Sequence, residues 1–373
     1  MSIRSAKQLT FVMLAASLTM LSPAVSQEND LAAFQKIGPE GAGHSEAIAA
    51  AGRLSKLAPE RLFDVLAAME DATPLGKNWL RVIAADIADN GDVPTDSLVA
   101  YIEDRSGSRD ARYVAYLLLK DSDADRAEKL LDGMMDDPSL QLRYEAVAKA
   151  IKRAKAAEGE AAISLYNQTL QVARHPNHLK KIADALREAK QEVDLAKHMG
   201  FITQWKLVGP FDNTDMKGFD VVYPPEAEYL ASADHTISQP SYDGKAGQVA
   251  WQSESTKHEL GMVNLNPVYN NEKSAIHYGY VELESAKEQP AQARLGCIVA
   301  NKIWVNGELI MSNEVYHART GVDQYIADFT LQKGKNTLLI KTCQNDQTQS
   351  WAQDWEFQLR ITDPDGAAID FAR

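Results

Sequence analysis

The stretch from Gln344 to Trp351 carries the residue types that most readily bind a sugar. It joins two predicted strands and is rich in amides, with a Trp at its end. Amide and carboxylate groups hydrogen-bond to sugar hydroxyls, an aromatic ring packs on the apolar face of a sugar, and binding groups concentrate on loops. A second long loop adds three more candidates. The predicted ligand-binding residues are Asn345, Asp346, Gln347, Gln349, Trp351, Tyr316, His317 and Arg319. The alternative is that Trp351 packs beneath its own loop and the amides are merely solvated.

Oxygen-bearing side chains also cluster between residues 212 and 220. Calcium prefers carboxylate and amide oxygens, and the candidates for a structural calcium site are Asp212, Asn213, Asp215 and Asp220. These residues lack the regular spacing of a helix–loop–helix calcium site, and Asp and Asn also cap their own backbone in turns. Both interpretations stay open, and no other cofactor is predicted.

The chain has only two cysteines, Cys297 and Cys343. Export would permit a disulfide between them, and the loop-entropy model gives such a bond about 4 kcal/mol for a loop of this size. The alternative is two buried free thiols that behave as small apolar residues. Nothing in the sequence brings the two Cα atoms within bridging distance, so both interpretations remain.

The sequence contains none of the motifs that identify common catalytic centres. Gly-x-Ser-x-Gly is absent, as are the His-Glu-x-x-His zinc helix, the phosphate-binding Gly-x-x-x-x-Gly-Lys and the dinucleotide-binding glycine pattern. Acidic residues are plentiful, but nothing singles out a glycosidase pair. His175 and His178 could share a helix face, but Pro176 lies between them. The proline predicts the start of a surface helix at this point rather than a metal site. No catalytic residue is predicted, and the sequence favours binding over catalysis.

The N-terminal residues predict export. Arg4 and Lys7 precede an apolar stretch that ends before Pro23, and small residues follow up to Ser26. This order is typical of a signal peptide, and we expect cleavage after Ser26. The apolar stretch is short for a membrane span, although an uncleaved anchor is the alternative. We therefore expect a periplasmic or extracellular protein with no transmembrane segment in the mature chain.

Bulk composition limits the partners. The 373 residues carry a formal charge of -13, with 45% hydrophobic and 24% charged residues. The last two values are typical of a soluble globular protein. An acidic chain without a Lys- and Arg-rich run lacks the basic surface that a nucleic-acid backbone requires. Nucleic acid is therefore excluded as the main partner.

The region from residue 27 to 200 has the periodicity of helices. Apolar residues recur at three- and four-residue spacing. The pattern Arg-x-x-Ala occurs at Arg81, Arg112 and Arg143, 31 residues apart each time. Such regularity is typical of stacked helix pairs. In these pairs the Arg can hold the preceding turn through carbonyl groups or through an acidic neighbour. The alternatives are chance recurrence in an Ala-rich region and a packed bundle that only supports the second half.

Residues 201–373 have the character of strands. Asn306-Gly307 favours a two-residue hairpin turn, and a second turn lies around Gly334. From Trp355 to Thr362, apolar and polar residues alternate, as in a strand with one buried face. Short strands joined by turns without intervening helices predict an antiparallel β-sandwich.

Several of these segments resemble known modules. Three segments resemble the galactose-binding-like jelly roll, a module that is appended to many secreted glycosidases. They are Ile303–Gly307, Leu331–Lys341 and Trp355–Arg360. A second resemblance is to the segment that precedes such jelly rolls in secreted proteins of planctomycete-like bacteria, many of which carry HEAT-like helical repeats in front. It rests on Trp205–Asn213, Gly218–Asp220 and Tyr223–Glu226.

The resemblance implies a multidomain α plus β architecture. A signal peptide (1–26) would be followed by a HEAT-like α-solenoid (27–200). A galactose-binding-like jelly roll (201–373) would come last, with a lead-in segment (201–274) and a core (275–369). It implies a family without a settled activity.

The sequence therefore favours an exported, non-catalytic binding or scaffold protein. The helical half would contact a protein partner, and the jelly roll would bind carbohydrate or protein. Two alternatives stay open. One is an accessory or catalytic component of a carbohydrate-active enzyme system, and the other is a purely structural protein of the cell envelope.

Overall fold

The computed structural model describes residues 23–371, with side chains from residue 28 onward. The predicted signal peptide thus lies almost wholly outside the described residues. The described residues form two compact units, which divide between Asp132 and Gly133. Within the described part, no helix has the length and apolar character needed to cross a membrane.

The first unit is helical, as the sequence predicted. Thr73 caps the N-terminus of the helix Pro74–Ala88, because its side chain accepts a hydrogen bond from the Gly76 backbone N–H (3.0 Å). Pro74 occupies the first helical position. The helices are α1 (Pro23–Ala32), α2 (His44–Leu54), α3 (Leu62–Ala67), α4 (Pro74–Ala88), α5 (Thr95–Glu103), α6 (Arg109–Ser122) and α7 (Ala124–Leu130).

Two of the three repeated arginines donate to backbone carbonyls, which is one of the two kinds of contact expected of them. Arg112 is buried on α6, and its Nε donates to the Ile102 carbonyl at 2.8 Å. Arg143 is buried in the second unit, and its Nε donates to the Asp137 carbonyl at 2.8 Å. Arg81 differs because its side chain is exposed on α4. The alanines one turn later are all buried: Ala84, Ala115 and Ala146.

The second unit begins with helices and continues with strands. The helix-to-strand change, between Met199 and Gln204, lies inside this unit. The buried faces of α9, α10 and α11 share one apolar cluster with Phe201, and Leu260 and Val322 from two loops pack against it. The helices of this unit are α8 (Leu140–Ala156), α9 (Gly159–Val172), α10 (Pro176–Glu188), α11 (Leu195–Met199) and α12 (Pro224–Ala231).

Two antiparallel sheets and a hairpin make up the rest of the unit. The strands are β1 (Gln204–Asp212), β2 (Ser241–Gly244), β3 (Gly247–Ala250), β4 (Gln252–Ser255), β5 (Val263–Asn264), β6 (Ala275–Ser285), β7 (Gln289–Cys297), β8 (Ala300–Val305), β9 (Glu308–Asn313), β10 (Tyr325–Leu331), β11 (Gly334–Gln344) and β12 (Glu356–Thr362). Their orders are β4-β1-β6-β11-β8-β9 and β10-β7-β12-β5, with β2-β3 as a separate hairpin. All the pairings are antiparallel, so the predicted strand architecture is confirmed at this level.

Both predicted turns are present. Asn306 and Gly307 join β8 to β9 with φ angles of 49° and 81°, the left-handed values that a two-residue hairpin turn needs. Gly334 (φ 90°) follows the end of β10 and opens β11. Those two strands lie in different sheets, so this turn carries the chain across the sandwich.

The six-stranded sheet is buried on both faces. Trp205 and Trp355 belong to the core between the two sheets. Trp304, on the opposite face, packs in a second core that is covered by Tyr229 of α12 and Tyr242 of β2. The three tryptophans that the sequence assigned to the interior are therefore buried. The covering segment lies before residue 275, so the predicted lead-in is part of the sandwich.

Candidate functional site

The two loops that the sequence singled out meet in the structure. One connects β9 to β10 and the other connects β11 to β12. His317 of the first and Trp351 of the second have ring centroids 5.1 Å apart at 83°, an edge-to-face contact. Trp351 is 60% exposed. The alternative that Trp351 packs beneath its own loop is therefore wrong. We call residues 316–319 and 346–351 the Trp351 loop surface.

His317 is held in an unusual state. Its backbone lies in the left-handed region (φ 56°), which residues with a Cβ rarely adopt. Both ring nitrogens are buried, and neither has a hydrogen-bond partner within residues 28–371. Buried polar atoms without partners are uncommon in folded proteins. A ligand or a small loop movement would supply the missing hydrogen bonds.

The amide loop divides into a structural start and an exposed remainder. Asn345 is buried, its Nδ2 donates to Gln347 Oε1 (3.1 Å), and its Oδ1 accepts from the Gln347 backbone N–H (3.1 Å). Asn345 therefore shapes the loop instead of facing a ligand, contrary to its predicted role. Asp346 and Gln349 are exposed, as is Arg319 on the neighbouring loop. These three side chains remain candidates for polar contacts.

Tyr316 and Asn213 connect the loop surface to the sheet. Asn213 is buried, and its Nδ2 donates to the Gln344 carbonyl (2.9 Å) and to Tyr316 Oη (3.3 Å). Its Oδ1 accepts from the Gly218 backbone N–H at 3.0 Å. Burial raises the pKa of Tyr316 to about 12, so its hydroxyl stays protonated at neutral pH. This contact between distant segments was not predicted, because Asn213 was assigned to a cation.

The predicted calcium ligands do not converge. Asp212 accepts hydrogen bonds from Thr214, which is the turn chemistry that was the alternative. Asp215 pairs with a lysine two residues away at 2.8 Å, and Asp220 pairs with Lys302 on β8 at 2.6 Å. Within the part of the chain that the structure describes, no group of three or more His, Cys, Asp or Glu could hold a metal ion. The prediction that these residues share one cation is therefore not supported by their positions.

The two cysteines are free thiols. Cys297 lies in the core between the sheets, whereas Cys343 belongs to the core on the outer face of the six-stranded sheet. Side chains that enter different cores cannot be joined without backbone movement. The disulfide interpretation is wrong, and that of buried thiols is confirmed. Burial raises the pKa of each thiol to about 12, which makes both poor nucleophiles.

A buried charged pair that the sequence analysis missed lies beside this region. Lys341 of β11 is fully buried, and its Nζ donates to the carbonyls of Phe219 and Val221 (both 2.8 Å) and lies 3.4 Å from Glu226 Oε2. Tyr278 Oη donates to the same carboxylate oxygen at 2.7 Å. Burial lowers the pKa of Lys341. The pair fastens the segment before α12 onto the sheet, and an interrupted apolar run (Leu338 to Cys343) was its only sequence signal.

Comparisons with known proteins identify no family. No family model matches the chain, and no curated protein matches it. Solved structures that share limited likeness include an anti-sigma factor domain-containing protein from Clostridium clariflavum (10% identity, 45% of each chain, TM-score 0.27). A β-glucosidase from Kluyveromyces marxianus in complex with glucose matches 44% of this chain and 17% of its own at 12% identity, with a TM-score of 0.26. The match to a GH31 α-xylosidase from Xanthomonas citri covers 32% of this chain and 15% of the xylosidase, at 13% identity and a TM-score of 0.20.

These matches are partial. The chain spans less than half the length of each of the three proteins. Likeness at these TM-scores carries no argument about the function of this chain.

Proposed function

We propose that this chain is an exported, non-catalytic carbohydrate-binding protein that holds its ligand on the Trp351 loop surface. The observation that carries the proposal is the exposure of the Trp351 indole in an amide-rich loop, with the His317 ring set edge-on against it. A large aromatic side chain left in water and supported from one side is a typical platform for the apolar face of a sugar ring.

The surrounding residues support a polar ligand with an apolar face. Asp346, Gln349 and Arg319 are exposed and offer acceptors and donors to hydroxyl groups. The His317 ring supports the Trp351 indole from one edge, and both of its nitrogens are buried. In this proposal Trp351 stacks on the sugar and the other groups orient it.

The finer architecture belongs to the same proposal. We infer a HEAT-like solenoid followed by a galactose-binding-like jelly roll, as in the secreted planctomycete-type proteins that the sequence resembles. The antiparallel sheets support the jelly roll, and the carbonyl contacts of Arg112 and Arg143 support the repeats. A signal peptide over residues 1–26 would carry the protein out of the cytoplasm.

Glycan-array binding of the mature protein tests the proposal, with Trp351→Ala as the variant. We expect the wild type to bind at least one glycan and Trp351→Ala to bind it at least about tenfold more weakly, because the stacking surface is lost. Ile326→Ala is the matched control, since Ile326 is 50% exposed on β10 of the same unit. Equal binding by wild type and Trp351→Ala, or no bound glycan, would contradict the proposal. Release of reducing ends from the bound glycan would contradict its non-catalytic part.

The helical unit would contact a protein partner in this proposal. Leu75 and Val82 of α4 are 47% and 60% exposed and flank Trp79 at helical spacing, and Ile48 of α2 is 53% exposed. Exposed apolar side chains grouped in this way are typical of contact surfaces. A photo-crosslinker at position 82 should capture one envelope protein that the same group at exposed Lys129 does not. Identical products from both positions would argue against a specific contact.

A further inference from the structure

A second groove lies at the edge of the six-stranded sheet and uses none of the residues of the Trp351 loop surface. Its volume is about 230 Å³, which suits a ligand of roughly one ring. The residues that matter for its chemistry are Lys206, Ser238, Gln239, Trp251 and Ser253. One aromatic ring, one amide, two hydroxyls and one ammonium therefore share a single concave surface.

Trp251 is fixed in place by hydrogen bonds at its edge. Its Nε1 donates to Tyr242 Oη (3.1 Å), and Tyr242 Oη donates to Glu228 Oε2 (2.6 Å). The rings of Tyr242 and Tyr280 lie 6.3 Å from the indole at 78° and 62°. The only donor of the indole is thus used within the fold. What Trp251 offers to a ligand is the face of its ring.

The loop that forms one wall is also held rigid. Glu228 Oε1 accepts hydrogen bonds from the Ser238 backbone N–H (2.6 Å), the Ser238 hydroxyl (2.8 Å) and the Gln239 backbone N–H (3.0 Å). The Trp251 backbone N–H donates to the Pro240 carbonyl at 3.3 Å. A wall fixed before binding lowers the entropy that a ligand must overcome. The side chain of Gln239 is exposed and available to the ligand.

The opposite wall comes from β1 and β4. Lys206 is in register with Ser253 of β4 and with Tyr280 of β6, and cross-strand neighbours share one face of a sheet. Lys206 is exposed, whereas Gln252 is in register with Leu207 and faces the other side of the sheet. The nearby Glu282 is paired with Lys335 at 3.3 Å and accepts from Tyr280. The Lys206 ammonium also lies near Glu282, and it is the cation that lines the groove.

We propose that this groove binds an acidic sugar residue, a uronate. The pyranose ring packs on the Trp251 face, and its hydroxyls bond to the amide of Gln239. The carboxylate pairs with the Lys206 ammonium. A neutral sugar leaves the lysine unused. This inference goes beyond the proposed function, because its residues and its ligand class are distinct from those of the Trp351 loop surface.

Calorimetric titration of trigalacturonate and of neutral galactotriose tests the inference. The full mature chain is used in a Trp351→Ala background, in which the loop surface is expected to bind at least about tenfold more weakly. We expect trigalacturonate to bind, and Lys206→Met to weaken it about tenfold or more, since a charge-assisted contact is lost. Gln252→Ala should leave it unchanged, because Gln252 is in register with Leu207 and therefore lies on the opposite face of the sheet from Lys206. Lys333→Met is the matched control, because Lys333 is an exposed lysine in the turn before β11 and should leave the affinity unchanged.

Three outcomes would overturn the inference. They are no heat of binding with trigalacturonate, equal affinities for Lys206→Met and Lys333→Met, and tighter binding of galactotriose than of trigalacturonate. Lys206 and Gln252 are exposed, so their variants should fold, and near-UV circular dichroism verifies that the core around Trp251 is intact. The Trp351→Ala background separates this result from the glycan-array test, so either site can fail alone.

Discussion

Two buried histidines in the second unit are kept neutral by their surroundings. His178 packs flat against Tyr144, with ring centroids 4.1 Å apart, and burial together with the nearby His175 and Lys181 lowers its pKa to about 4. His277 is fully buried, its Nδ1 lies 2.6 Å from Thr342 Oγ1, and burial lowers its pKa to about 3. Both values lie below the ordinary 6.5 of an unfolded chain.

Acid should therefore destabilise the second unit before its carboxylates titrate. Between pH 6.5 and 4 the unfolded chain binds protons on these histidines and the folded chain does not, so the free energy of unfolding falls as pH falls. We expect His178 alone to account for about 2 kcal/mol between pH 7 and 4.5. Urea unfolding across this range should show a shallower loss for His178→Phe. Tyr144→Phe, which keeps the titrating ring, should follow the wild type, and parallel profiles for His178→Phe and wild type would refute the assignment.

At the residue scale, the sequence indicated which side chains lie at the candidate site more reliably than it indicated what each of them does there. The exposed Trp351 and its loop were predicted because an amide-rich run ending in Trp is a local signal. The sequence analysis assigned Asn213 to a calcium ion and Asn345 to a bound ligand. Both side chains are buried and form hydrogen bonds with the protein's own backbone or side chains. Whether an amide faces a ligand or a carbonyl depends on segments far away in the chain, such as Gln344 for Asn213. No spacing pattern contains that information.

The elements of the helical unit depend on close backbone approaches that propensity alone does not reveal. Gly76 lies in the first turn of α4, where a Cβ would be 2.0 Å from the Phe34 carbonyl oxygen. Gly52 lies in α2, where a Cβ would meet nothing within 4 Å. Alanine is favoured over glycine by about 1 kcal/mol in a helix interior. The two glycines therefore form a matched pair in one unit.

We expect opposite effects from the same substitution at these positions. Gly52→Ala should raise the free energy of unfolding of the first unit by about 0.5–1 kcal/mol. Gly76→Ala should lower it by about 1–3 kcal/mol, because the added methyl group overlaps a backbone carbonyl. Denaturant unfolding followed by far-UV circular dichroism measures both. Stabilisation by Gly76→Ala would show that the approach of Phe34 to α4 is looser than the structure has it.

Element identity was predictable from local pattern, whereas pairing was not. The Asn306-Gly307 turn gave the β8–β9 hairpin, since that turn type joins neighbouring antiparallel strands. The turn at Gly334 looks similar in sequence, but β10 pairs with β7 and β11 with β6 and β8. A turn shows that two strands are consecutive, and only the burial of their faces decides which sheet each one joins.

For the whole molecule, composition and compactness divide the chain at different places. Composition changes near Gly200, where helices give way to strands, but the second compact unit begins at Gly133. Arg360 of β12 donates to the Met199 carbonyl (3.2 Å), and the Ile202 backbone N–H donates to the Leu359 carbonyl (2.9 Å). Local composition reports secondary structure, whereas a unit is defined by long-range packing.

Two truncations distinguish these boundaries. The fragment 133–373 keeps the apolar cluster that α9–α11 share with Phe201, and we expect it to unfold cooperatively. The fragment 200–373 exposes Phe201, Leu260 and Val322 and removes a partner of the buried Arg360, so its free energy of unfolding should be lower by several kcal/mol. Glu259→Gln in the longer fragment controls for the exposed ion pair with Arg187 and should cost about 1 kcal/mol or less. Equal urea midpoints for the two fragments would place the boundary at residue 200, because the helices would then add nothing to the stability of the sandwich.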